Sequence, residues 1–138
     1  MKVIDGTDLV LGRMSTHIAK SLLNGEEIHI INAEKAVIIG DKHLLLEKYR
    51  ARRRAQNKGT PEHSPKWPRV PHLLVRKTVR GMLPWKTTKG RAAFKKLRVY
   101  SGNPKNLENA VKVDYAVVDA RKNFITVQSL CEMLGYSG

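Results

Sequence analysis

Residues 27–56 read "EIHIINAEKAVIIGDKHLLLEKYRARRRAQ", and this stretch decides the architecture. "EIHIINA" and "AVIIG" are short runs rich in isoleucine and valine, the β-branched residues that suit a pleated, half-buried surface. Each predicts a strand. Asp41 then stands where a helix N-cap belongs, because its short side chain can accept from the free N–H groups of a first turn. The helix predicted over 41–56 changes character along its length. Leu44, Leu45, Leu46 and Tyr49 make its first half apolar, while Arg50, Arg52, Arg53 and Arg54 make its second half cationic. Such a helix starts against a core and finishes outside it.

Toward the N-terminus, "KVID" at 2–5 predicts a strand closed by the turn "DGTD". Met14, Ile18 and Leu22 recur every four residues with Ala19 beside them, which predicts an amphipathic helix over 13–24. Gly25 stands where a left-handed helix stop is wanted. Strand, helix, strand, strand, helix within 55 residues predicts an α/β fold with a mostly parallel sheet. Toward the C-terminus, "PHLLVRKTVRGMLP" (71–84) predicts a helix bounded by prolines, with Val75, Val79 and Met82 on one side and Arg76, Lys77 and Arg80 on another. "TKGRAAFKKL" (88–97) predicts a short helix and "LRVYSG" (97–102) a returning strand. "VKVDYAVVD" (111–119) alternates like an edge strand, and "ITVQSLCEMLG" (125–135) predicts a closing helix capped by Thr126 and stopped by Gly135. A chain of 138 residues with a 41% hydrophobic share makes one domain with one core.

Charge is distributed unevenly. Residues 48–98 hold 17 of the 26 Lys and Arg and only one acid, Glu62. The other 87 residues keep nine basic and eleven acidic side chains, so a nearly neutral protein carries one cationic excursion. A solvated surface usually mixes both signs. A segment this basic repels itself unless an anion neutralises it, and the net charge of +14 points to a polyanionic partner. Within it, "NKGTPEHSPKWPRVP" (57–71) brings Lys58, Lys66 and Arg69 together with four prolines and almost nothing to bury. This part is expected to be mobile alone and ordered by RNA. Both tryptophans, Trp67 and Trp85, lie inside the excursion. Each indole has two readings: stacking on a base or under an arginine plane, or packing in a local cluster.

Other chemistries find little support. Gly6 and Gly12 in "DGTDLVLGR" are six apart where a P-loop needs five, and Arg13 and Met14 stand where Lys and Ser/Thr should follow. The helix start could still take an RNA phosphate beside Arg13. Asp5 and Asp8 read as turn residues before acid and base. The five histidines have no metal partner at ligand spacing, and one cysteine, Cys131, neither completes a zinc site nor forms an internal disulfide. No catalytic residue, cofactor or metal is expected. No apolar run exceeds four residues, so no membrane span is predicted, and "MKVIDGTD" does not read as a signal peptide.

The stretch "KTVRGMLPWKTTKGRAAFKKLRVYSG", with R-G-M-L-P, G-R and K-K-L-x-V-Y-x-G in order, resembles the L-thirteen family of large-subunit ribosomal proteins. "VIDGTDLVLGRMSTHIAKSLLNG" and "IINAEKAVIIGDK" are similar to the family's first half, and the likeness spans essentially the whole chain. The insert "GTPEHSPKWPRVP" and the ending "DYAVVDARKNFITVQSLCEMLGYSG" resemble its archaeal and eukaryotic branch.

The resemblance implies a single domain over 1–138, a three-layer α/β/α fold with a four-stranded, mainly parallel sheet, and a basic excursion inserted at about 48–98. It implies a structural, non-catalytic role in the cytoplasmic ribosome: binding large-subunit rRNA early in assembly beside neighbouring ribosomal proteins, not as a homo-oligomer. Arg80, Gly81, Lys89, Arg91, Lys95, Lys96 and Arg98 inherit the RNA-binding expectation from the matching motif. Trp85 and Lys86 join them from the basic excursion, as do Trp67 and the insert cations, on charge alone. The alternatives are a small α/β enzyme acting on a nucleotide or nucleic acid, and a general cationic DNA-binding protein.

Overall fold

The computed structural model describes residues 1–137. The parallel strands β1 (Lys2–Asp5) and β2 (Ile28–Ile31) are joined by helix α1 (Leu11–Leu23). Strand β3 (Val37–Ile39) leads into α2 (Lys42–Arg54). The chain then passes through α3 (Pro71–Gly81) and α4 (Thr88–Lys95) to β4 (Leu97–Val99), and ends with β5 (Phe124–Thr126) and α5 (Val127–Met133).

Strand β2 is the centre of a parallel sheet in the order β1-β2-β4, with Ile30 opposite both Ile4 and Val99. All four of its residues are buried, which is why it reads as an apolar run instead of an alternation. A separate antiparallel pair joins β3 to β5. The fold is α/β with a mainly parallel sheet, as the sequence predicts. Its strands divide three plus two, where the resemblance implies one sheet of four. The reason lies at 111–119, which forms no strand. Val111 makes one parallel bridge beside Ile4, and the chain then turns through a 3-10 segment at Asp114–Ala116. Val111 and Val117 stay exposed while Val113 and Ala116 fill the core. The alternation was real, but it marks a loop pinned at two points.

Local chemistry explains most boundaries. Asp41 accepts from the N–H groups of His43 (2.9 Å) and Leu44 (3.3 Å), and Thr126 accepts from Ser129 N–H at 3.1 Å. Gly25 (φ +93°) ends α1 with paired bonds, Gly25 N–H to Leu22 and Glu26 N–H to Ser21, a closure that needs a left-handed residue. Helix α1 starts two residues before its predicted start, and residues 125–126 belong to β5 instead of the closing helix. Two apolar assignments also change. Leu44 and Met82 are 68% and 41% exposed, so α2 buries a narrower stripe than predicted, Leu45 and Tyr49, and the stripe of α3 moves toward its N-terminus, to Pro71, Leu74, Val75 and Val79. Helix α3 packs on α1, β4 and α5, which places it at the centre of the helical side of the core.

Gly90 holds the excursion together. A Cβ at this position would lie 2.1 Å from the Pro84 carbonyl oxygen, so only glycine lets α4 fold back on the 82–87 turn. That turn is itself closed by Thr87, whose hydroxyl donates to Pro84 and accepts from Gly90 N–H.

Candidate nucleic-acid interface

The chain has 26 Lys and Arg and twelve acids, yet among the described residues no lysine or arginine lies within 4.0 Å of a carboxylate. The two acid–base contacts within that distance among the described residues both join a histidine ring to a glutamate. The acids are used otherwise. Asp5 accepts from Thr7 and Asn32; burial works to raise its pKa, but these hydrogen bonds outweigh it and hold the carboxyl below its usual value. Glu34 accepts from Gly102 N–H.

The cations are positioned by aromatic rings instead. Arg52 lies 4.5 Å over Trp67 and 5.1 Å over Tyr49, and Lys77 lies 4.8 Å from the Trp67 ring centre. Arg80 lies 4.1 Å over Trp85, and Arg76 lies 4.6 Å over Phe94. The rings brace one another: Trp67 meets Tyr49, and Trp85 meets Phe94, each edge to face. An aromatic face attracts a cation without cancelling its charge, so each guanidinium is fixed in direction and still available to phosphate. Of the two readings of the tryptophans, the structure shows local packing and cation support.

Helix α3 carries Arg76, Lys77 and Arg80 on its outer side, while Leu74, Val75 and Val79 anchor its inner side. The end of α2 brings Arg52 across to it. Between them opens a cleft of about 900 Å³, reached by Lys48, Arg52, Trp67, Lys77, Arg80 and Trp85. Burial lowers the Lys77 pKa, with help from Arg80, which is what an ammonium short of both water and a counter-ion shows.

Arg50, Arg53 and Arg54 gather elsewhere, around the end of α5 at Met133–Gly135, and Arg69 reaches the same end. Lys66 joins Arg76 and Phe94 on the far side of Trp85. Other site candidates stand apart. Arg13 donates to the Tyr115 carbonyl at 3.4 Å, Lys96 to Gly25 at 3.2 Å, Arg91 to Trp85 at 3.1 Å, and Arg98 to Lys95 at 2.8 Å. Lys58, Lys86, Lys89 and Lys95 are exposed, and Gly81 lines the cleft. Tyr49, Phe94 and Lys48 were missed by sequence reasoning. Tyr49 had a signal, three residues before Arg52 on one helix; Phe94 had none, because its partners Arg76 and Trp85 are distant in sequence.

The predicted division of α2 also needs revision. Arg52 and Arg53 are half-buried, and Arg53 donates to the Trp67 carbonyl, tying the Pro-rich segment to the helix. That segment makes a 3-10 turn at Pro61–His63 and two bonds from Asn57, to Ser64 and His63; most of its side chains are exposed, while Ser64, Trp67, Pro68 and Val70 are partly buried. Changing Arg54 alone to Gln is expected to lower the salt slope of RNA binding by about one and to move stability by no more than about 0.5 kcal/mol. Changing Arg52, Arg53 and Arg54 together is expected to weaken RNA binding further and to speed hydrogen exchange over 57–70. Loss of the cooperative melting transition in the triple variant would make these arginines structural.

No group of three or more His, Cys, Asp or Glu that could hold a metal occurs among the described residues, and no helix there is long and apolar enough to cross a membrane. Cys131 is buried and its thiol is pushed up to about 11, chiefly by burial, which leaves it a poor nucleophile.

The sequence model of one family, ribosomal protein L13, matches residues 1–106. The large ribosomal subunit protein uL13 of Archaeoglobus fulgidus is 42% identical over 99% of this chain and 88% of its own. Its namesake from Methanocaldococcus jannaschii is 43% identical over 98% of each. That of Methanosphaera stadtmanae is 48% identical over 81% of this chain and 80% of its own.

Proposed function

The chain belongs to the ribosomal protein L13 family, and on that premise we propose that it binds large-subunit rRNA and helps that RNA fold during assembly of the subunit. One observation carries the reading: Arg52, Arg76, Lys77 and Arg80 are held by aromatic rings and Arg53, Arg91, Lys96 and Arg98 by carbonyls, and among the described residues no cation of 48–98 has an acidic partner. A fold that fixes its cations and leaves them unneutralised is prepared for an external polyanion. Phosphate supplies it, and rRNA is the polyanion that the family's large-subunit relatives share a particle with.

The role is structural. Asp5, the acid an enzymatic reading would need first, is committed to Thr7 and Asn32, and Asp8 is an exposed turn residue with φ +60°. One copy of the chain works beside other large-subunit proteins in the cytoplasmic ribosome. The protein is expected to cosediment with large subunits in a cell lysate and to leave them in high salt. In vitro it is expected to prefer folded large-subunit rRNA over duplex DNA of equal length. Sedimentation at the top of the gradient, or equal affinity for the two nucleic acids, would count against the reading.

A further inference from the structure

The cleft between Trp67 and Trp85 has features that phosphate contact alone does not call for. Its floor is apolar, built from Val10 and Leu11 at the start of α1, Ile38 on β3, and Leu83 after α3. Its rim carries Lys48, Arg52, Lys77 and Arg80, none facing an acid. At about 900 Å³ it falls within the roughly 300–1,000 Å³ range of sites that hold small organic ligands.

The main chain adds a third feature. In the β3–β5 ladder the hydrogen-bonded pairs include Gly40 with Asn123 and Ala36 with Val127. Alternation along an antiparallel pair then turns the N–H and C=O of Val37 and Ile39 away from β5. The Val37 N–H finds the Leu9 carbonyl at 2.9 Å. Ile39, one step further on, lines the cleft, and its N–H and C=O have no partner among the described residues. An unpaired donor and acceptor side by side on an apolar wall match the edge of a nucleobase.

We propose that this cleft receives one unpaired nucleotide of the bound RNA, its base on the apolar floor against the Ile39 main chain and its phosphate among Lys77, Arg80, Arg52 and Lys48. A duplex offers phosphates and groove edges but no free base face to fill a concave apolar site. An unpaired nucleotide offers the base, its edge and its phosphate together. The proposal rests on the rRNA-binding reading and sharpens it: the excursion recognises a point in the RNA fold where a base leaves its stack.

The structure also supplies the probe. Gly12 and Gly81 line the cleft, neither has a left-handed φ, and a Cβ on either meets nothing within 4 Å. Gly12→Leu and Gly81→Leu therefore fill the cleft from two sides without removing a charge or disturbing the core. The experiment titrates full-length wild type and both variants against a transcript of the large-subunit rRNA across a salt series, with ultraviolet crosslinking and mass spectrometry.

The filled variants are expected to lose about 5- to 150-fold in affinity, the range spanned by one lost base-stacking contact. Their salt slope is expected to stay at the wild-type value, because no cation is lost. In the wild type, crosslinks from peptides carrying Trp67 or Trp85 are expected to concentrate on one unpaired nucleotide and to vanish in the variants. Unchanged affinity in both variants, or crosslinks spread over paired positions, overturns the cleft while leaving rRNA binding standing. A wild type that does not distinguish this rRNA from arbitrary RNA overturns the rRNA reading, and the cleft with it.

Discussion

Raising monovalent salt from 50 to 200 mM is expected to weaken binding to large-subunit rRNA by about 10³- to 10⁵-fold, the loss that roughly six to ten phosphate contacts produce. The physical cause is counter-ion release: each phosphate neutralised by a protein cation frees condensed salt, and that gain disappears as bulk salt rises. The log–log slope is expected at about −5 to −9. This chain is suited to so steep a response because, among the described residues, its lysines and arginines have no acidic competitors. A lysine already paired with a glutamate would have to break that pair to meet a phosphate, and among the described residues no such pair exists. Equilibrium titration at four or more salt concentrations measures the slope. A value near −1 would mean that most of the 17 basic residues of the excursion face solvent in the complex.

Leu74→Ala is expected to cost about 2–5 kcal/mol of folding stability. Leu74 is fully buried on α3, the helix in contact with α1, β4 and α5, so the vacated space lies where several elements meet and cannot all close over it. For a chain of this size the drop corresponds to roughly 8–20 °C in melting midpoint. Leu44→Ala, on the 68%-exposed side of α2, is the control and is expected to cost no more than about 0.5 kcal/mol. Urea denaturation of the two variants measures both values. A ligand RNA that binds only the folded chain is expected, at 100 times its Kd, to return about 2.7 kcal/mol to Leu74→Ala. Equal stability of the two variants would mean that α3 is not anchored as described.

The elements legible in the sequence are those whose cause is local. The stripe of Met14, Ile18 and Leu22, the Asp41 and Thr126 caps and the Gly25 and Gly135 stops each involve groups within a few residues, and each is present in the fold. Failures came where local pattern and global packing parted. Residues 111–119 alternate like a strand, yet β1 accepts only one bridge from them. Leu44 and Met82 each fit the apolar pattern of their helix yet stay 68% and 41% exposed. Of the 20 residues named for RNA binding, folding gathers some at a cleft and some at the end of α5, sets Lys66 and Arg76 beside Phe94, ties others singly to carbonyls, and leaves Lys58, Lys86, Lys89 and Lys95 exposed.

By itself the sequence determined the α/β class, the helix ends and the segregation of charge into residues 48–98, because periodicity, capping and composition are written in neighbouring residues. Only the tertiary structure decided that Trp67 and Trp85 carry cations on their faces, that Ile39 lines the cleft, and that Arg53 ties down the Pro-rich segment. The cleft lining spans 75 positions, from Val10 to Trp85. Its geometry is set by how α1 packs on β2 and β3, α3 on α1, β4 and α5, and α2 on α5, a property of the whole core that no short window of sequence contains.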